Sequence, residues 1–203
     1  MLILAKTILG IMLGFITSLI AGFIIIPILR KKKIGQQTCK LINERHIKKA
    51  GTPTIGGLIF IIPTILTIIL LYLKGSIRTN HNLIILMFVF MSYGLLGYID
   101  DKLKIKYHNN EGLSIKIKFI IQLLIAIVFY FIYKYNGGLT DLTISLFGIK
   151  IQLGYFFGLF ILFLLVGTTN AVNITDGLDG LCGGLSAIAF LSYGVISWGS
   201  YWI

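Results

Sequence analysis

The chain has 203 residues, 57% of them hydrophobic and only 12% charged, with a formal net charge of +11 at pH 7. That composition excludes an ordinary water-soluble domain and fits a membrane protein. No soluble basic segment is left to carry nucleic-acid binding, so the positive charge reads as membrane topology and as attraction to anionic headgroups and phosphorylated ligands.

Charged residues divide the chain into six uncharged stretches: Thr7 to Leu29, Ala50 to Leu73, Thr79 to Ile99, Phe119 to Tyr133, Ile151 to Thr175 and Gly180 to Ile203. Five exceed the roughly 20 residues a helix needs to cross a bilayer. The fourth is shorter, but Lys116, Lys118 and Lys134 flank it and can snorkel, which lets it span as well. These stretches predict an all-α polytopic membrane protein, one domain with six transmembrane helices near residues 7–29, 55–73, 81–99, 117–133, 154–172 and 180–200. The first is too long, and too weakly charged ahead of its start, for a cleaved signal peptide, and is expected to be retained. Gly10 with Gly14, and Gly180 with Gly184, have the spacing of close helix packing, the second pair also adjoining two aspartates. Pro27 and Pro63 are expected to kink their helices, and Pro53 to mark a loop-to-helix boundary. Between the fourth and fifth helices, "LTDLTISLFGIKIQL" at 139–153 alternates on both sides of Phe147 and Gly148, which predicts a small external β-hairpin entered through the turn "NGG".

Orientation follows from the basic residues, which stay on the cytoplasmic side during insertion. Residues 30–54 carry Arg30, Lys31, Lys32, Lys33, Lys40, Arg45, Lys48 and Lys49, and residues 100–118 carry Lys102, Lys104, Lys106, Lys116 and Lys118. The other face has Lys6, Lys74, Arg78, Lys134 and Lys150. Thirteen against five predicts an N-terminus outside. Cys39 and Cys182 then both fall near the reducing cytoplasmic face, where no disulfide is expected.

The acids carry the functional signal. There are seven, Glu44, Asp100, Asp101, Glu111, Asp141, Asp176 and Asp179, and four of them form two pairs at the predicted cytoplasmic ends of helices. Adjacent helical residues point about 100° apart, so Asp100 and Asp101 are expected to have two separate roles, unless they are plain helix-end charges with Asp100 pairing to Lys104. Asn173, Asp176 and Asp179 are successively three apart and would form a polar ladder, whose two carboxylates need a cation, a hydrogen-bond donor or a raised pKa. The bland alternative is a solvated loop between glycine turns. "KKAGTPTIGGLIF" at 48–60 offers lysines, hydroxyls and helix-start amides suited to anionic oxygens. Together these are the parts of phosphoryl transfer at a membrane surface: a base, carboxylates that can organise Mg²⁺, and cations for phosphates.

"GTPTIGG", "GYIDDKLK", "GLSIKIKFIIQ" and "NAVNITDGLDGL", in this order and spacing, resemble the polyprenyl-phosphate hexose-1-phosphate transferase superfamily and, within it, the phospho-N-acetylmuramoyl-pentapeptide-transferase family. The resemblance implies transfer of phospho-MurNAc-pentapeptide from UDP-MurNAc-pentapeptide to undecaprenyl phosphate, forming lipid I and UMP with Mg²⁺ as cofactor, in the bacterial cytoplasmic membrane with the site facing the cytoplasm. Its partners would be those two substrates, the lipid bilayer and a second copy in a homodimer. It implies Asp100, Asp101 and Asp176 as the catalytic carboxylates, Asp100 as base toward the lipid phosphate and Asp101 in support. Lys104 takes a phosphate-site position. Lys49 and Thr54 line the nucleotide-sugar pocket, Asn173 is a metal ligand, and Asp176 and Asp179 lie around the nucleoside. Family members have ten membrane helices, and the later loops with a further Mg²⁺-binding aspartate and a histidine-rich segment have no counterpart here. His46, His81 and His108 are scattered and do not replace them. The 203-residue chain alone is therefore expected to be inactive, and UMP exchange by it would overturn that expectation. Competing readings are a related UDP-GlcNAc polyprenyl-phosphate transferase, a cation-coupled transporter, whose sites tend to lie at mid-membrane between repeats, and an intramembrane aspartyl protease, for which "TDGLDG" has the wrong order.

Overall fold

A computed structural model of the chain describes residues 2–31, 54–107, 112–144, 147–176 and 180–199. Among the described residues six helices and one hairpin run in order: α1 (Leu2–Lys31), α2 (Leu58–Leu73), α3 (His81–Tyr107), α4 (Ile115–Tyr135), β1 (Asp141–Ile144), β2 (Ile149–Gln152), α5 (Phe156–Thr175) and α6 (Leu181–Gly199). This is the all-α polytopic architecture with a small antiparallel hairpin. Four stretches among the described residues are long and apolar enough to cross a membrane, Ala5–Lys31, His81–Tyr107, Ile115–Tyr135 and Phe156–Thr175, whereas α2 and α6 are shorter apolar helices. With 16 residues, α2 rises about 24 Å, less than the roughly 30 Å of hydrocarbon. Side chains such as Phe23, Phe163 and Phe190 lie more than three-quarters exposed on these helices, a surface suited to lipid and not to water.

The chain divides into two compact units, Met1–Ile121 and Gln122–Ile203. In the first, α1 and α2 pack through small residues. A Cβ on Gly10 would lie 3.6 Å from Leu71 Cδ1, and one on Gly22 would lie 3.6 Å from Ile59 Cγ2. Gly14 has nothing within 4 Å, so the expected Gly10 and Gly14 pair is replaced by Gly10 and Gly22, which the antiparallel course of α2 brings against opposite ends of that helix. Pro27 and Pro63 both sit inside helices. Two loop devices set the ends of the next helices. Gly75, at φ 63, closes α2, its N–H reaching the Tyr72 carbonyl while the Ser76 N–H reaches that of Leu71, the paired bonds of a Schellman motif. Asn80 caps α3 by accepting the Leu83 N–H at 2.8 Å.

In the second unit α4 ends the same way, with Gly137 at φ 78 and Gly138 bonding back to the Tyr133 carbonyl, so "NGG" turns the chain into the hairpin as the sequence predicts. The strands pair Asp141 with Gln152 through Ile144 with Ile149, and Lys150 bridges to Asp141 at 3.0 Å. Against α5, Tyr133 stacks on Phe157 with centroids 5.7 Å apart, and Gly158 makes room for the Tyr130 ring. Deeper in this apolar contact lies a polar pair: the fully buried Gln122 accepts a hydrogen bond at 2.8 Å from Asn170 on α5. Gly180 and Gly184 have nothing within 4 Å. Gly180 instead adopts φ 81 immediately before α6.

Candidate functional site

Asp100 lies on α3 with only 5% of its surface exposed. An ionised carboxylate can stay buried only if its oxygens are satisfied. Oδ2 takes Lys104 Nζ at 2.8 Å and Lys118 Nζ at 3.6 Å, and Oδ1 accepts the Leu113 N–H at 2.9 Å. The Lys104 pair is the i,i+4 bridge that a plain helix end would make, but Leu113 and Lys118 come from beyond the turn and gather on the same carboxylate. Gly112 permits that approach. Its φ is 48, and a Cβ there would lie 2.6 Å from Asp100 Oδ1 and 2.9 Å from Lys104 Cε. Ser114 starts α4 by accepting the Ile117 N–H, and the first turn of that helix then carries Lys118. In sequence Lys118 reads as a snorkelling flank. The left-handed turn that brings it to Asp100 gives no periodic signal.

Asp101 faces a different way, as the 100° rotation requires. Its Oδ2 accepts the Ile55 N–H at 2.9 Å, and its Oδ1 meets Lys104 Nζ at 3.3 Å. Lys104, four residues after one aspartate and three after the other, serves both. Ile55 has φ 64, and it is the only non-glycine residue with positive φ among those described. That backbone explains why α2 begins at Leu58 and not near residue 55: Ile55 is left-handed and Gly56 and Gly57 form a turn. Next to it Thr54 is 8% exposed, and its Oγ1 has no hydrogen-bond partner among the described residues. Thr54, Asp100, Asp101 and Lys104 thus form one neighbourhood in the first unit. Lys49 lies outside the described residues.

In the second unit, α5 ends at Thr175, with Asp176 as its C-cap. The expected helical ladder therefore has two rungs, Asn173 and Asp176, because the helix stops before a third, and Asp179 lies outside the described residues. Both side chains are exposed. Asp176 sits at the negative end of the helix with no basic residue in the last turn, an arrangement that favours a cation. None of the ion pairs among the described residues reaches it. An amide oxygen and a carboxylate are hard donors of the kind Mg²⁺ takes, together with water and substrate phosphates. No group of three or more His, Cys, Asp or Glu side chains that could hold a metal occurs among the described residues, so these two donors are a partial set. Cys182 has no disulfide partner among the described residues, and Cys39 lies outside them.

Residues 82–202, which include Asp100, Lys104, Lys118, Asn173 and Asp176, match the sequence profile described as Glycosyl transferase family 4. The chain belongs to glycosyl transferase family 4. It is also similar to proteins named phospho-N-acetylmuramoyl-pentapeptide-transferase. The relative from Bacillus licheniformis is 42% identical over 188 residues, 93% of this chain and 58% of its own length. The relative from Bacillus subtilis gives the same identity and coverage, and that from Anoxybacillus flavithermus is 43% identical over 186 residues, 92% of this chain and 57% of its own. This family 4 chain thus spans somewhat under three-fifths of the length of those relatives. With its apolar helices it is a bacterial multi-pass membrane protein.

Proposed function

We propose that the chain is part of an enzyme that transfers phospho-MurNAc-pentapeptide from UDP-MurNAc-pentapeptide to undecaprenyl phosphate, releasing UMP and forming lipid I. The observation that carries this reading is the buried Asp100 carboxylate held by Lys104, Lys118 and the Leu113 amide, in a chain whose relatives bear that enzyme's name. An oxygen of the lipid phosphate attacks the sugar-bearing phosphorus of the UDP-sugar. The new P–O bond forms as the bond to the bridging oxygen breaks, and UMP leaves. The attacking phosphate must lose any proton it carries, and Asp100 is the carboxylate assigned to take it. Lys104 and Lys118 supply the positive charge that phosphate oxygens need. Thr54, whose hydroxyl has no partner among the described residues, and Lys49 are assigned to the nucleotide-sugar, and Asp176 and Asp179 to the nucleoside. Asn173 and Asp176 would hold Mg²⁺, which when bound supplies charge neutralisation to the diphosphate.

The basic residues of 30–54 and 100–118 support an orientation with Asp100 and Asp101 on the cytoplasmic side and the N-terminus outside, and a homodimer is the assembly proposed. The reading is tested with the full-length protein in bilayer nanodiscs supplied with undecaprenyl phosphate and either UDP-MurNAc-pentapeptide or UDP-GlcNAc, with UMP and lipid product measured. Lipid I from the first donor, and a fall of about 10²–10⁴ in turnover for Asp100→Asn, is the expected result. Product from UDP-GlcNAc alone would move the assignment to that related branch, and ion flux without either product would favour a transporter.

A further inference from the structure

We propose that Asp101 is a positioning residue: its carboxylate holds Ile55 in the left-handed conformation and thereby fixes the buried Thr54 hydroxyl at the start of α2, without touching substrate or moving a proton. What Thr54 is positioned for rests on the transferase reading. The clamp itself does not.

Ile55 is a β-branched residue, the type that adopts positive φ least readily. A glycine would sit there freely, and glycines follow at once in Gly56 and Gly57, so the local sequence does not choose this conformation at residue 55. A restraint from elsewhere must hold it. The structure contains one: the Ile55 N–H donates to Asp101 Oδ2 at 2.9 Å across 46 residues of sequence. The other carboxylate oxygen meets Lys104 Nζ at 3.3 Å, so each oxygen of Asp101 already has a partner within the protein. The side chain of Asp101 is 31% exposed, whereas that of Asp100 is 8% exposed. The two adjacent acids therefore divide their work, one gathering the lysines and the other anchoring a backbone. The residue fixed by this anchor is flanked by a hydroxyl that is buried and has no hydrogen-bond partner among the described residues.

Three variants test this: Asp101→Asn, which keeps an oxygen able to accept the Ile55 N–H, Asp101→Leu, which keeps none, and Asp101→Leu with Ile55→Gly, which removes the need for the restraint. In full-length protein in nanodiscs, amide hydrogen exchange over residues 54–57 should rise about tenfold or more in Asp101→Leu and stay near wild type in Asp101→Asn. With UDP-MurNAc-pentapeptide as donor, Asp101→Leu should raise KM about tenfold, and adding Ile55→Gly should recover most of that loss. Unchanged exchange in Asp101→Leu overturns the clamp whatever the activity. Turnover lost as fully in Asp101→Asn as in Asp101→Leu, with wild-type exchange, also overturns the positioning role and leaves the transferase reading intact. If wild-type protein turns over no nucleotide-sugar, the transferase reading fails and the exchange measurement still decides the clamp.

Discussion

Replacing Gly112 with alanine should break the ion cluster without removing any of its charges. Alanine at φ 48 costs about 1–2 kcal/mol relative to a relaxed backbone. Its Cβ would also lie 2.6 Å from Asp100 Oδ1, so the carboxylate must move off the Leu113 N–H, and a hydrogen bond to a charged group is worth about 1.5–3 kcal/mol. Partial relaxation makes the two costs less than additive, giving about 3 kcal/mol. At roughly 2–4 °C per kcal/mol for a chain of this size, the thermal midpoint should fall by about 6–12 °C. The assay is thermal unfolding of detergent-solubilised protein followed by circular dichroism, with Gly14→Ala as the control. Gly14 is helical and faces open space, so alanine there should leave stability unchanged or raise it by up to about 1 kcal/mol. Because the clash is with Asp100, the double change to alanine at 100 and 112 should cost less than the sum of the single changes by about 1 kcal/mol or more. Equal effects at Gly112 and Gly14, or strict additivity with Asp100→Ala, would refute the reasoning.

The buried Gln122 and Asn170 pair should show a coupling of about 0.6 kcal/mol, and at most about 1.7, in a double-mutant cycle of reversible unfolding in detergent. A coupling of zero would mean that the 2.8 Å contact does not hold α4 to α5. For the second unit, Asn173→Ala and Asp176→Ala should each raise the Mg²⁺ concentration for half-maximal turnover of the full-length protein by about tenfold or more. An unchanged Mg²⁺ dependence with lowered activity would remove both residues from the cation.

Much of the fold was legible because a bilayer imposes a simple rule: uncharged stretches bounded by lysines and acids become helices. The alternation around Phe147 and Gly148 marked the hairpin for an equally local reason. Errors fell where a local pattern met a long-range contact. The second helix was expected three residues early because Ile55 looks like any apolar helix residue, and its left-handed backbone depends on an acid 46 positions away. The spacing of Gly10 and Gly14 is the familiar packing signal, while the antiparallel partner selects Gly10 and Gly22, at both ends of the contact. That Asp100 and Asp101 face different partners is readable from helical geometry. The parts of Lys118, Leu113 and Gly112 are not, since each depends on a contact with Asp100 that no local pattern marks. The Gln122 and Asn170 pair left a weak trace, two amide side chains in otherwise apolar stretches.

Lys104 and Lys118 set two positive charges against the two negative charges of Asp100 and Asp101. The quartet therefore has no net charge. A neutral, mutually bonded group is far cheaper to bring toward hydrocarbon than any of its members alone. The 27 residues of α3 rise about 40 Å, beyond the roughly 30 Å of hydrocarbon, so the helix can hold Asp100, Asp101 and Lys104 in its last turns, with Lys118 against them, at the edge of the hydrocarbon. The bilayer edge can therefore close up to this cluster more cheaply than to any one of its members alone.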